Sequence, residues 1–483
     1  MVFLACFLNV LASHAGEALR YAPGQILVKP KSKAACQKLD RFHAEKGCAV
    51  LRQFKTGGLQ LIKVPAGETV PGLIAKYKSS GLVEFAEPDH MVTAAATIPN
   101  DPHFGMLWGL QNTGQNEGGV PGADIHAPDA WDLQTSASNI VVAVLDTGIR
   151  YTHEDLAVNI WVNTNDGSHG FDAFTQLNNP VDDSGHGTLV AGILGAAGNN
   201  NLGITGVAWS VQMMSCKCLD LTGVGTDSSV ISAMEFASTN GAKIINASFS
   251  GPDFSEAVSN TIVSLRDKGI VVVAACGDNW GDVDAVPRYP ACYDIDNIVS
   301  VAASGDDDNL GFKSNYGMTN VDLTAPGDLM FSTFYAADDS YYPTNYPTER
   351  LYGTSFATAY VSGTLALILE KFPAEDYRVS IRRLLLAVDK IPALEGSCVT
   401  GGRLNLAYAL NAPIQLQFLG STEASFSLRV SSSPSRVCVV DTSPDLLNWT
   451  AVTTNTTSTD GFFDYTDCPI NDIPQRFYRA RGQ

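Results

Sequence analysis

Positive charge is what this sequence has least of: 31 Lys and Arg stand against 50 Asp and Glu, a formal net charge of −19 over 483 residues. Nucleic-acid binding needs clustered Lys and Arg against phosphate, so no nucleic-acid partner is expected. The acidity reads as solubility. Beyond the N-terminus no apolar run reaches the ~18 residues that a membrane span needs. No Cys/His spacing resembles a zinc site, and no internal repeat is evident. What remains is an ordinary globular composition, 45% hydrophobic, in a chain too long for one core.

The first residues, VFLACFLNVLASHA, form an apolar run that closes on small residues. Ser13 and Ala15 suit a signal-peptidase cut after Ala15, so residues 1–19 read as a targeting segment of a secreted or cell-surface protein. The positive n-region is missing, which is compatible with a start further upstream. Of ten cysteines, Cys6 would leave with that segment. Cys438 with Cys468, and Cys36 with Cys48, are candidate pairs in an oxidising compartment. Cys216, Cys218, Cys276 and Cys292 fall in or near apolar segments and read as buried free thiols.

Three folded regions separate by pattern. Residues 20–95 alternate as strand, helix, strand, strand, helix, strand, the order of a ferredoxin-like α+β unit. The Pro-bearing stretch TAAATIPNDP that follows reads as a cleavable linker. Residues 98–412 alternate helical segments with apolar runs such as NIVVAVLD, KIINASFS, GIVVVAAC and NIVSVAAS. Strands that are apolar throughout are buried on both faces, so this region is predicted to be α/β with a parallel central sheet and helices on both faces. Residues 413–483 carry short strand-like runs between turn residues and predict a small all-β sandwich.

Three segments of the middle region place a reactive side chain beside glycine at a strand–helix junction. VVAVLDTG ends a strand with Asp146, DDSGHGTLVAGILGAAG sets His186 between two glycines before a helix, and YGTSFATAYVSG opens an apolar helix at Ser355. In an α/β sheet, ligands bind outside the carboxyl ends of the strands, where such groups converge. A Ser hydroxyl needs a base within hydrogen-bond reach, His supplies it, and a buried carboxylate fixes the His tautomer. Singly, each motif is as easily a turn or an N-cap. Together they predict a nucleophilic triad of Asp146, His186 and Ser355.

The order Asp, His, Ser is that of subtilisin. The three blocks VLDTGIRYTHEDL, DDSGHGTLVAGILGAAGNNNLGITGVAW and YGTSFATAYVSG resemble the signatures of the subtilase family, and residues 98–412 resemble its catalytic domain throughout. Residues 20–93 resemble its inhibitory propeptide. The resemblance implies a serine endopeptidase that matures from a zymogen, cleaves protein or peptide substrates, is inhibited by its own propeptide and works as a monomer, in a bacterial host. It also implies that Gly223, Val224 and Gly225, with Ser248, Phe249 and Ser250, flank an extended peptide and pair with its backbone. Gly251 and Gly277 would line the pocket nearest the cleaved bond. AAGNNNLGI resembles the family's calcium loop: Asp155 and Asn200 would offer side-chain oxygens to Ca²⁺, and Gly198, Leu202 and Ile204 backbone carbonyls. The tail beyond residue 412 resembles an accessory β domain.

One departure from the family bears on the chemistry. In VVVAACGDNWG the family's usual oxyanion-donating Asn is replaced by Asp278, with Asn279 next to it. An ionised carboxylate only accepts, whereas a protonated one donates. Either Asp278 serves when protonated, or a one-residue shift presents Asn279. Two further readings compete with the active enzyme. One is a catalytically weak or inactive binding protein of the same fold. The other is a surface protein whose β tail binds glycans through Trp449, Phe462, Phe463 or Tyr465, residues that equally suit a sandwich core. Arg288 is expected near the first pocket's wall, favouring an acidic or small residue there.

Overall fold

The computed structural model describes residues 21–55, 58–65, 67–90, 96–345, 349–421, 425–444, 449–467 and 476–482. The expected signal segment, and the pairings that involve Cys36 and Cys468, lie outside the described residues or side chains. The chain divides into two compact units between Ala95 and Ala96.

The first unit has four antiparallel strands, β1 (Tyr21–Pro30), β2 (Ala49–Gln53), β3 (Gln60–Lys63) and β4 (Val83–His90), in the order β2-β3-β1-β4. Two helices, α1 (Lys33–Glu45) and α2 (Val70–Ser79), complete the ferredoxin-like alternation. Ser32 and Thr69 cap them, each side-chain oxygen accepting a first-turn N–H. Ile26, Val28, Ile62, Leu73 and Tyr77 form the core.

The second unit is built on a nine-stranded sheet. Its strands are β5 (Ser136–Asp146), β6 (Gly170–Asp172), β7 (Ser210–Lys217), β8 (Ile244–Ala247), β9 (Val271–Ala275), β10 (Ile298–Ser304) and β11 (Leu323–Pro326), then, after the hairpin β12 (Ser332–Thr333) and β13 (Tyr341–Tyr342), β14 (Val388–Lys390) and β15 (Gly402–Leu404). The order is β14-β15-β11-β10-β9-β8-β5-β7-β6, parallel except for β14 against β15. Burial on both faces follows the period of two. Val142 and Val144 of β5 join one core, and Val141, Ala143 and Leu145 join the other.

The helices in chain order are α3 (Ala127–Trp131), α4 (His186–Gly195), α5 (Asp227–Thr239), α6 (Glu256–Arg266), α7 (Thr354–Lys371), α8 (Tyr377–Leu386) and α9 (Leu406–Asn411). Residues of α4 and α7 pack into the first core, and those of α5 and α6 into the second. Helix α7 carries only apolar and small hydroxyl side chains from Thr354 to Ile368 and is buried throughout that stretch, as a helix in the interior is. The chain runs out from β5 in both directions across the sheet, so the C-terminal end of β5, at Asp146, is the topological switch point.

Two three-stranded antiparallel sheets form the tail. β16 (Gln415–Ser421), β17 (Phe426–Ser431) and β20 (Phe462–Asp467) make one, and β18 (Val437–Ser443), β19 (Thr450–Thr456) and β21 (Phe477–Gly482) the other. Val430, Cys438, Val440 and Phe463 are buried between them, so Phe463 is a core residue. Arg383 of α8, 4% exposed, is ion-paired with Glu375 and donates to the Pro434 carbonyl at 3.1 Å, tying α8 to the tail. Cys216, Cys218 and Cys276 are buried free thiols, as their apolar segments imply, and Cys292 is half-buried. Among the described residues no helix is long and apolar enough to cross a membrane.

Candidate active site

Asp146 ends β5 with no exposed surface. Its Oδ1 accepts from Thr147 N–H and from His186 Nδ1, each at 2.7 Å. The turn after it is locked from two sides. Lys217, at the end of neighbouring β7, donates to the carbonyls of Thr147 (2.7 Å) and Leu219 (3.2 Å). Thr147 donates its hydroxyl to Asp182 at 2.8 Å and accepts Gly187 N–H at 3.0 Å. Asp182 also takes the N–H groups of Ser184, Gly185 and Thr188, so one carboxylate caps the N-terminus of α4. Gly187 is obligatory here, since a Cβ would lie 2.0 Å from the Gly148 carbonyl. These contacts set the His186 ring beside Asp146. Asp182 and Lys217 were not singled out in the sequence; the carboxylate four residues before His186, in cap position, is the signal that could have found the first.

Burial would lower the His186 pKa, but the charge and hydrogen bond of Asp146, then the charges of Asp182 and Asp278, outweigh it and hold the imidazole above its ordinary value. The Asp146 Oδ2 atom is buried and has no hydrogen-bond partner.

Ser355 lies in the first turn of α7, 8% exposed. Its Oγ donates to the Ser248 carbonyl at 2.9 Å, and Ser248 Oγ returns a bond to the Ser355 carbonyl at 2.9 Å. Behind this pair Asn246 donates to Ser248 Oγ and accepts from Ser362, both at 2.8 Å. The His186 ring lies 6.0 Å from that of Phe356, the residue after Ser355. In the first turn of α7, Phe356 N–H donates to the Gly353 carbonyl at 3.1 Å.

Asp278 Oδ1 accepts Thr354 N–H at 2.8 Å, which brings this carboxylate, one residue removed, to Ser355. Asn279 is held differently. Its N–H, like that of Gly281, donates to Asn315 Oδ1, and its side chain lies near Gly281. Asn315, fully buried, is therefore the clamp of the loop that carries Asp278. Burial pushes the Asp278 carboxyl above its ordinary range, against the Thr354 donors, His186 and Lys313, which pull it down. The residue as a whole is nonetheless solvent-exposed.

A cavity of about 360 Å³ begins at Phe249, next to Ser248, and none of Asp146, His186, Ser355 and Asp278 lines it. Gly223, Val224, Gly225, Phe249, Ser250 and Gly251, all expected along the substrate path, line it, together with Tyr289 and Tyr293. Ser248 and Gly277 lie outside its lining, the first under Ser355 and the second beneath Asp278. Arg288 is also outside it. Val224 N–H and carbonyl, and Gly223 N–H, are engaged with Asp220 in a turn that does not include Gly225. Gly251 pairs with Tyr289 in both directions, at 2.8 and 2.9 Å.

The loop expected to hold calcium brings Asp155 and Asn200 together at 2.8 Å. Asp155 is fully buried and also accepts Ile204 N–H at 2.7 Å, and Leu202 N–H donates to Asn200 Oδ1 at 2.8 Å. Gly198 packs under Trp209, and Gly203 is held against Asp155 where a Cβ would lie 2.4 Å from Oδ2. Asp101, 4% exposed, belongs to the same loop through the N–H groups of Asn199 and Asn200, and was missed in the sequence. Burial first, with Asp155's charge adding to it, pushes the Asp101 carboxyl up despite those donors. No Lys or Arg pairs with either acid among the described residues, and no group of three or more His, Cys, Asp or Glu placed to hold a metal ion occurs among them. Tyr341 donates its hydroxyl to Asp155 Oδ2 at 3.1 Å, and two buried, mutually repelling carboxylates without a cationic partner are hard oxygen donors of the kind Ca²⁺ takes.

The chain is similar to known proteins along most of its length. The profile described as the subtilase family, Peptidase S8, matches residues 137–391, and that of the fervidolysin N-terminal prodomain matches residues 9–89. The chain is 32% identical over 389 residues to the thermophilic serine proteinase of Bacillus sp. (strain AK1), covering 80% of this chain and 86% of that protein. It is 34% identical over 309 residues to thermitase of Thermoactinomyces vulgaris, covering 64% and 97%. Among solved structures, a protease from Pseudoalteromonas arctica PAMC 21717 superposes with a TM-score of 0.53 at 28% identity, over 65% of this chain and 99% of that one.

Proposed function

Since the chain belongs to the subtilase family of serine endopeptidases and carries its N-terminal prodomain, we propose that Asp146, His186 and Ser355 carry out its peptide-bond cleavage and its own maturation. The observation that carries this reading is the 2.7 Å bond from His186 Nδ1 to a fully buried Asp146 at the sheet's switch point, beside the α7 N-terminus that bears Ser355. In this reading the Ser355 hydroxyl leaves the Ser248 carbonyl, to which it donates at 2.9 Å, and donates instead to His186 Nε2. Nε2 takes the proton as Oγ attacks the scissile carbonyl. The imidazolium, stabilised by Asp146, then hands that proton to the leaving amine. Water repeats the sequence on the acyl-enzyme and frees the acid.

Ser355 N–H and the protonated form of Asp278 are the oxyanion donors in this reading, and Thr354 N–H holds the Asp278 side chain in place. The acyl half of the substrate pairs with Gly225 and with the Ser248–Ser250 edge, over the cavity. Residues 20–95 act as inhibitor and folding template, and the signal segment directs secretion. The β tail is an accessory domain. Calcium, when bound, is a structural cross-link held by Asp155, Asn200 and the carbonyls of Gly198, Leu202 and Ile204, with Asp101 as a further carboxylate.

A fluorophosphonate probe tests the nucleophile. It should label the mature protein at Ser355 and leave a folded Ser355→Ala variant unlabelled and unprocessed. Labelling that persists in the variant refutes the assignment. Asp278 gives one specific reason for a second reading, a weakly active protein of this fold, since an ionised carboxylate repels an oxyanion.

A further inference from the structure

A second surface adjoins Ser355 and shares no residue with the cavity. It consists of Trp280, Phe312, Lys313 and Tyr352. Tyr352 precedes Ser355 by three positions, and Trp280 follows Asp278 by two. Phe312 meets both rings edge-on, at 5.4 Å from Trp280 and 4.7 Å from Tyr352. Trp280 is 54% exposed and has a φ of +61°, a conformation a bulky residue adopts only when its surroundings impose it. They do so here: its N–H donates to the Lys313 carbonyl at 2.9 Å, and Asn315 clamps the residues on either side. An exposed indole on a strained, clamped backbone adds little to the core.

The charge on this surface is Lys313. Its Nζ stands 5.7 Å from the Phe312 ring centre and 5.4 Å from that of Tyr352. The other cation in the cluster, Arg350, is already ion-paired with Asp328 and stacked on Phe312 at 4.4 Å. In a chain of net charge −19 that repels acidic segments at long range, Lys313 is a cation without an ion-pair partner within 4.0 Å among the described residues, near enough to Asp278 to act on it.

We propose that Lys313 selects peptide substrates bearing an acidic side chain in the half released as the amine product, with Trp280 and Tyr352 as the apolar floor beneath that half. The inference rests on Ser355 being the nucleophile. The acyl half occupies the Gly225 and Ser248–Ser250 edges, so an extended peptide that continues past Ser355 leaves those edges and meets the Trp280–Tyr352 wall.

The test uses mature enzyme and internally quenched peptides with one fixed acyl half and Glu, Gln or Lys in the first three departing positions. Wild type should show kcat/KM for Glu over Lys of about 3- to 10-fold at low ionic strength, the scale of a half-exposed ion pair, shrinking as salt is added. Lys313→Met should abolish the ratio and Lys313→Arg should retain it. The ratio cancels any change that Lys313 exerts through Asp278, because that change acts on all peptides alike. Trp280→Ala should raise KM across the series with the ratio kept. A ratio unchanged in Lys313→Met, or a charge preference that follows the acyl half instead, overturns the proposal. Absence of hydrolysis of every peptide together with absence of fluorophosphonate labelling overturns the nucleophile reading and this inference with it.

Discussion

Replacing Asp278 by Asn changes one donor at the reacting centre and little else. Asn keeps a carbonyl oxygen to accept the Thr354 N–H that Asp278 Oδ1 accepts at 2.8 Å, and puts an amide N–H₂ where Oδ2 stands. The wild-type enzyme faces two opposed demands. His186 must be neutral to act as base, and its pKa is held up by Asp146, Asp182 and Asp278, so kcat/KM rises as pH climbs through it. Asp278 must be protonated to donate, and although burial raises its pKa, that donor is lost as pH climbs through the raised value. The two groups interact, so the limbs of the profile belong to the pair. Each unit by which the carboxyl titrates below the imidazole cuts the competent fraction about tenfold. The Asn variant is free of the second demand and removes one of the charges that raise His186. Its acid limb should therefore move to lower pH and its alkaline limb should disappear. Loss of the side-chain oxyanion donor in subtilisin, a relative, costs ~10²–10³ in kcat, which sets the scale. At pH ~8 we expect Asp278→Asn to be about 10- to 1000-fold faster than wild type. The gain should shrink at acid pH, where Asp278 already carries its proton, leaving only the part that the lower His186 pKa supplies. The assay is kcat/KM on one fluorogenic peptide from pH 5 to 10, for both proteins, with active sites titrated. An unchanged rate and profile would show that Asp278 does not face the oxyanion and that Asn279 or backbone N–H groups do the work.

Chelation should lower the apparent melting temperature by several degrees, since a cation held at about 100 times its Kd stabilises the fold by about 2.7 kcal/mol. Asp155→Ala should melt low with or without calcium, and equal wild-type curves in calcium and chelator would remove the site. The separately expressed segment 20–95, added to mature enzyme, should inhibit it at submicromolar concentration; hydrolysis unaffected at any dose would reject the inhibitor role. Asp322 offers a stability test away from the chemistry. Burial raises its carboxyl from 3.8 to about 6 while Ser300 N–H partly offsets this, so its contribution is fullest below pH ~4 and is lost as pH rises through about 6. Asp322→Asn should therefore be more stable than wild type at pH 8, by about 1–3 kcal/mol given the partial exposure, and no different at pH 4. Chemical denaturation at the two pH values reads the difference, and equal midpoints at pH 8 would refute it.

Much of this protein was legible along the chain because the signals are local. A strand buried on both faces must be apolar throughout, and Ser136–Asp146, Val271–Ala275 and Ile298–Ser304 appear where such runs stand. A glycine-flanked His at the start of a helix, or a Ser after Gly-Thr at another, is written in a few consecutive residues, and so were the alternating strands of the tail. Partnership across the fold was not legible, because it depends on strand order. Nothing near residue 278 says that its carboxylate meets Thr354 N–H, or that Asn315 clamps the loop and leaves Asn279 turned toward Gly281. Asp101 joins the Asp155 loop across a long sequence gap. Lys313 stands over Tyr352 because β10, β11 and α7 pack side by side, not because of any local pattern. The residue types that carry the chemistry were set by local sequence. Which of them meet was decided by the order of strands in one parallel sheet, whose crossovers bring distant strand ends to a single edge.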